Sequence, residues 1–194
     1  MRVVIIDPDE ARAALVAEGL ADFRPLELRR AATIDSLGAD LEAFQPDVII
    51  VACDSPDRDT LEGLREATEA NPRPIVMFVD RTTPGLSQAA VEAGVAAYVV
   101  DGLAPGRIRP VLDVALSRFQ LMQRLRTDLD QARQDLASRK IIDRAKGLLM
   151  KERGLDEEAA YAALRKLAMN TGRPIAAVAA DLIAYANVLK GGAP

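Results

Sequence analysis

SRKIIDRAKGLLMKERGLDEEAAYAALRKLAM, residues 138–169, divides into helix, break and helix at Gly154. In the first helix Ile141, Ile142, Ala145, Leu148 and Leu149 share an arc of about 120° at ~100° per residue. The remaining surface is basic and falls into two lanes. Lys140, Arg144 and Lys151 form one, and Arg139, Lys146 and Arg153 the next. Gly147 falls in the first lane, where glycine costs about 1 kcal/mol of helix propensity relative to alanine. A glycine on that side makes sense where another backbone comes close. The plainer reading is a solvated charged face with one tolerated glycine.

The wording of this stretch, RxxIxxAKGLLM (Arg139 to Met150) followed by AAYAALRKLA (Ala159–Ala168), resembles the ANTAR module of bacterial transcription antiterminators. The resemblance covers about thirty residues with many fixed positions. It implies a three-helix module over residues 138–190 that grips leader-RNA hairpins with short loops and keeps a terminator from forming. Carried onto this chain, Lys140, Arg144, Lys146 and Lys151, with Arg139 beside them, meet phosphates, and Gly147 permits close approach. Tyr161 and Arg165, at i and i+4 on the second helix, engage loop bases, since RNA loops are commonly read by stacking and hydrogen bonding. The bland alternative for Tyr161 is closure of a small core. The buried arc expected for this helix is Ala159, Ala160, Ala163, Leu164 and Leu167. Lys166 and Arg173 are expected as phosphate contacts or solvated charges, and a last helix from Pro174 to about Leu189 turns Ile175, Val178, Leu182 and Ile183 inward. GGAP is expected as a frayed end.

Charge divides the chain in the same way. Residues 138–194 hold 10 Lys/Arg against 6 Asp/Glu, a net of +4, whereas the rest holds 15 against 23, a net of −8. A basic tail on an acidic body fits a regulatory domain joined to a nucleic-acid-binding module. The chain has no histidine and one cysteine, Cys53, which excludes an intrachain disulfide framework and the usual zinc spacings. Neither an enzyme activity nor a cofactor or metal is expected. No apolar run is long enough for a membrane span and no signal peptide opens the chain, so a cytoplasmic home is expected.

Residues 2–103 alternate short apolar runs with amphipathic stretches. Strands are expected at Val3–Ile6, Leu26–Ala31, Val48–Ala52, Ile75–Val79 and Ala96–Val100, with helices at about 9–20, 34–43, 57–70 and 85–93. Strict alternation and almost purely apolar strands argue for a doubly wound, flavodoxin-like α/β domain with a five-stranded parallel sheet over residues 1–104. The spacing resembles the receiver domain of two-component response regulators, whose site lies at the carboxyl ends of the strands. That family needs paired acids for magnesium, an aspartate acceptor, a hydroxyl and a lysine. Here Asp7 keeps the first acid position, but Pro8 stands at the second, Ala52 at the acceptor, Val79 at the hydroxyl and Asp101 at the lysine. Asp9 or Glu10 could partly substitute for the second acid, and Asp54 is the fallback acceptor. The domain therefore reads as a pseudo-receiver.

SPDRDTLE after the third strand, IVMFVDR at the fourth and AYVVDGL at the fifth are similar to the NasT family of nitrate- and nitrite-responsive antiterminators. That likeness implies control by a nitrate-sensing, NasS-like partner protein in place of phosphorylation. Between the two modules, residues 105–137 show apolar positions at Ile108, Leu112, Ala115, Phe119 and Met122, then Leu125, Leu129, Ala132 and Leu136. Alternating steps of 3 and 4 predict one long helix from about 107 to 152. It packs on the receiver first and on a second copy later, as a coiled-coil homodimer. An intramolecular hairpin is the competing reading. A phosphorylation-dependent regulator with Asp54 as acceptor and a DNA-binding regulator remain as alternatives.

Overall fold

The apolar runs pair as a parallel sheet in the computed structural model, which describes residues 1–34 and 37–191, the side chains of 189–191 excepted. The strands are β1 (Arg2–Ile6), β2 (Glu27–Ala31), β3 (Val48–Cys53), β4 (Ile75–Val79) and β5 (Val95–Val100), in the order β2-β1-β3-β4-β5. Every adjacent pair is parallel. Side chains alternate across a strand, so neighbouring residues enter different cores. Val4, Ile6, Ile49, Val51, Ile75 and Met77 meet helices α2 (Leu37–Phe44), α3 (Arg58–Glu69) and α4 (Leu86–Glu92) on one face. Val3, Ile5, Val48, Ile50, Val76 and Phe78 meet α1 (Glu10–Gly19) and the start of α5 (Pro105–Arg153) on the other. β2, sequence ELRRA, is an edge strand with four exposed residues, which is why it carries three charged side chains.

Local chemistry sets the helix ends. Asp9 caps α1 by accepting from the backbone N–H groups of Ala11 and Arg12, and Asp57 caps α3 by accepting from that of Thr60. α1 ends at Gly19, where a β-carbon would stand 2.6 Å from Ile108 Cδ1 and 2.7 Å from the Pro105 carbonyl oxygen. Glycine there lets α5 lie directly on α1. The long helix begins at Pro105, not near Arg107, and carries Pro110 inside its second turn. Arg107 N–H donates to the Ala104 carbonyl oxygen at that start. Residues 192–194, most of the GGAP end, and the 35–36 entry to α2 lie outside the described residues.

The chain separates into two compact units, Met1–Gln123 and Arg124–Pro194. In the second, α5 ends at Gly154, at φ 64°, and Asp156 caps α6 (Glu157–Thr171) by accepting from Ala159 N–H at 2.7 Å. Gly172, at φ 63°, stops α6, and α7 (Ile175–Gly191) follows. Ala145, Leu164, Ala179 and Ile183 form the buried centre, with Ile141, Ile142, Leu148, Leu149, Ile175 and Leu182 against it. Ala163 and Leu167 do not join this core. Both are exposed, and α6 turns in the narrower i, i+4, i+8 stripe Ala160, Leu164 and Ala168. Alanines at this seam let the helices come close, so a one-residue-wide stripe suffices.

Candidate functional site

Two places at which sequence suggests chemistry are the basic side of α5 and the carboxyl ends of the strands. On α5, Arg139, Lys140, Arg144 and Lys151 are all exposed. Gly147 is exposed among them, and a β-carbon built there would meet no atom within 4 Å. The fold of this chain therefore does not require glycine at 147. Lys146 behaves differently from the others. Its ammonium sits 2.8 Å from Asp143 Oδ1 and 2.7 Å from Glu157 Oε1, and its side chain is only 16% exposed. Hydrogen bonds to Asp143 and then Glu157 raise its pKa well above the ordinary lysine value. Lys146 thus joins α5 to the first turn of α6 across the Gly154 break, and an incoming phosphate would share its ammonium with those carboxylates.

On α6, Tyr161 and Arg165 are both exposed, one helical turn apart, Tyr161 at 45%. Tyr161 therefore does not close the small core. Lys166 and Arg173 are exposed too, and Arg173 donates to Asp181 Oδ2 at 2.7 Å. Further back on α5, Leu121, Met122, Leu125, Leu129 and Leu136 are each at least half exposed, a run of large apolar side chains along one helix.

At the strand ends three aspartates gather around one arginine. Asp7 is fully buried just after β1, and its Oδ1 accepts from Asp9 N–H at 2.8 Å. Arg12, from the first turn of α1, grips Asp7 with two hydrogen bonds, Nε to Oδ2 at 2.9 Å and Nη2 to Oδ1 at 3.1 Å. The same guanidinium donates from Nη1 to Asp54 at 2.6 Å and to Asp80 at 3.1 Å. Such forked, charge-assisted contacts are among the stronger hydrogen bonds in proteins. They raise the arginine pKa further, through Asp7 first, and hold the Asp54 carboxyl below its ordinary 3.8.

Arg12 occupies the carboxylate of Asp7, the acid that the receiver resemblance assigns to magnesium. The residues present do not fit magnesium. Pro8 offers no oxygen ligand from its side chain, Asp9 is committed to capping α1, and Glu10 pairs outward with Arg30 at 3.2 Å. Ala52 is fully buried within β3, against the α1 and α5 side, and Val79 is buried at the end of β4. Asp101 is exposed in left-handed backbone at φ 48°, its N–H on the Val79 carbonyl oxygen at 2.9 Å. Asp54 is solvent-exposed with its carboxylate on Arg12. Beside it the thiol of Cys53 is pushed up to about 11, mainly by burial.

Arg12 and Asp80 are the residues that sequence reading misses. The available signal was an arginine in the first turn of α1, five residues beyond a buried acid, with an aspartate directly after β4. Its carboxylate partners at 54 and 80 are 42 and 68 residues away in the chain, so only the folded sheet assembles the group.

Comparison with known proteins agrees with this architecture. The transcriptional regulatory protein PdtaR of Mycobacterium tuberculosis is 30% identical over 129 residues, 66% of this chain and 63% of PdtaR. The aliphatic amidase regulator of Pseudomonas aeruginosa is 28% identical over 109 residues, 56% of either protein. The chain thus spans under two-thirds of the length of these relatives. Among solved structures, the N-terminal domain of a response regulator/sensory box/GGDEF three-domain protein from Carboxydothermus hydrogenoformans superposes with a TM-score of 0.52. That likeness is at 15% identity, over 62% of this chain and 98% of that one, and shows a receiver-like fold in the first unit. Residues 130–183 match the family described as the ANTAR domain, which begins within α5 and takes in α6 and the first part of α7. This chain, homologous to PdtaR and to the aliphatic amidase regulator, carries an ANTAR domain.

Proposed function

We propose that this chain is an RNA-binding regulator of transcription termination, whose ANTAR domain holds leader-RNA hairpins and so keeps a terminator from forming. The observation that carries the reading is the exposed lane of Arg139, Lys140, Arg144 and Lys151 around a glycine that the chain's own packing does not need. Phosphate contacts from such a lane supply affinity and salt dependence, while base contacts choose the RNA. Tyr161 and Arg165 are the proposed base readers on α6.

The first unit is proposed as a pseudo-receiver controlled by a protein partner, a nitrate-sensing NasS-like regulator by sequence likeness. What supports partner control over phosphotransfer is Arg12, which binds the carboxylates of both Asp7 and Asp54. The exposed apolar run of α5, Leu121 to Leu136, is the proposed homodimer seam. No helix among the described residues is long and apolar enough to cross a membrane.

The test is a mobility-shift titration of the full chain against a hairpin RNA, with duplex DNA as competitor. Binding to the hairpin should weaken with salt, and Lys140→Ala with Arg144→Ala should reduce the log–log salt slope by about 0.7–0.9 per lost phosphate contact. Equal retention of duplex DNA would favour a DNA-binding regulator instead. No retention of hairpins at low salt refutes the proposal.

A further inference from the structure

Within the second unit, an open groove of about 370 Å³ lies between α5 and α7, inside the roughly 300–1,000 Å³ of sites that hold small molecules. Its floor is the buried Ile183 and the half-buried Ile141. Lys140 and Arg144, one turn apart, stand on the α5 rim, and the small Ala180 and Ala184, also one turn apart, line the α7 side. Asn187 lies one turn beyond Ile183. Among the described residues neither Lys140 nor Arg144 takes part in an ion pair, unlike Lys146 on the same helix.

We propose that this groove receives an unpaired nucleobase turned out of an RNA hairpin loop, with its flanking phosphates on Lys140 and Arg144 and one edge on the Asn187 amide. Three features select this occupant. Two uncompensated cations beside an apolar floor suit a ligand with an apolar body and anionic ends. Alanines at 180 and 184 leave room for a flat ring against the isoleucines. An asparagine amide both donates and accepts, which matches a base edge and not an alkyl chain. The inference rests on the RNA-binding reading and adds to it a base-reading role for α7, separate from Tyr161 and Arg165 on α6.

The probe is a pool of hairpins with short randomised loops, from which the full chain retains its tightest binder at low salt. That hairpin is then synthesised with one abasic nucleotide at each loop position in turn. One abasic position should weaken the wild-type chain by about tenfold, within the range measured for single bases held by protein side chains. Ala184→Phe, made at an exposed position, should bind the intact hairpin about tenfold more weakly and lose the penalty at that abasic position. Asn187→Ala should weaken the intact hairpin and lose discrimination among bases there, which carries the test even if Ala184→Phe fails to fold. Wild-type affinity and unchanged abasic penalties in both variants overturn the groove while leaving the RNA reading intact. A wild-type chain that retains no hairpin from the pool overturns both.

Discussion

Replacing Gly147 by alanine should move stability and RNA affinity in opposite directions. The added methyl points into open space, with no atom of the chain within 4 Å, and position 147 lies well inside α5. No clash offsets the gain in helix propensity, so Gly147→Ala should stabilise the second unit by about 0.8–1.0 kcal/mol. For a domain of 60–100 residues that is a rise of about 4–8 °C in Tm. If a phosphate backbone comes against the α5 surface at this glycine, the same methyl holds it off. Affinity should then fall about tenfold, or ~1.4 kcal/mol. Thermal unfolding followed by circular dichroism gives the first number, and a hairpin mobility-shift titration gives the second. A more stable variant with wild-type affinity would remove Gly147 from the interface. A less stable variant would contradict the open surroundings of the glycine itself.

Arg12→Met leaves Asp7 buried with only the Asp9 N–H, and breaking a buried pair in this way should cost about 3–5 kcal/mol in urea unfolding, with Asp7→Asn in the same chain restoring part of it; a loss under about 1 kcal/mol would refute the role given to Arg12. Because Arg12 holds the Asp54 carboxyl below 3.8, the stabilisation from that contact is complete above the unfolded value and is lost as pH falls below it and through the lower folded value, so Asp54→Asn should flatten the acid limb of the stability profile. Cys53 should alkylate slowly at pH 8. The unfolded thiol releases its proton near 9.0 and the folded one only near 11, so stability should decline between those values, and Cys53→Ala should remove that decline. Leu125→Glu with Leu129→Glu should convert a dimer into a monomer in sedimentation experiments without changing the helix content, and an unchanged sedimentation coefficient would dispose of the α5 seam.

The sheet was legible because burial on both faces demands continuous apolar runs, and VIIVAC and IVMFV are such runs. The mixed run ELRRA could be placed as a strand but not as an edge, because edge position depends on which strands pair, a property of the whole sheet. The caps at Asp9, Asp57, Asp156, Gly154 and Gly172 are local chemistry. Of these, Gly154 is legible in the sequence as the break between two helices. The arc of α6 came out too wide. Leu167 is apolar and correctly phased, yet the three-helix seam is too narrow to cover it. Lys146 was expected to stand free with its neighbours, but Glu157 reaches it from beyond a helix break whose turn geometry no periodicity encodes. Arg12 was missed for the same reason on a longer scale.

That arginine has a consequence for how the first unit answers its surroundings. Receivers of the usual kind borrow a divalent ion from solution, so their charge balance rises and falls with its supply and can be stripped by a chelator. Here the neutralising group is tethered through α1, never titrates in the physiological range, and is present at a fixed ratio of one per chain. One positive charge is therefore held among three aspartates whatever the supply of divalent ions.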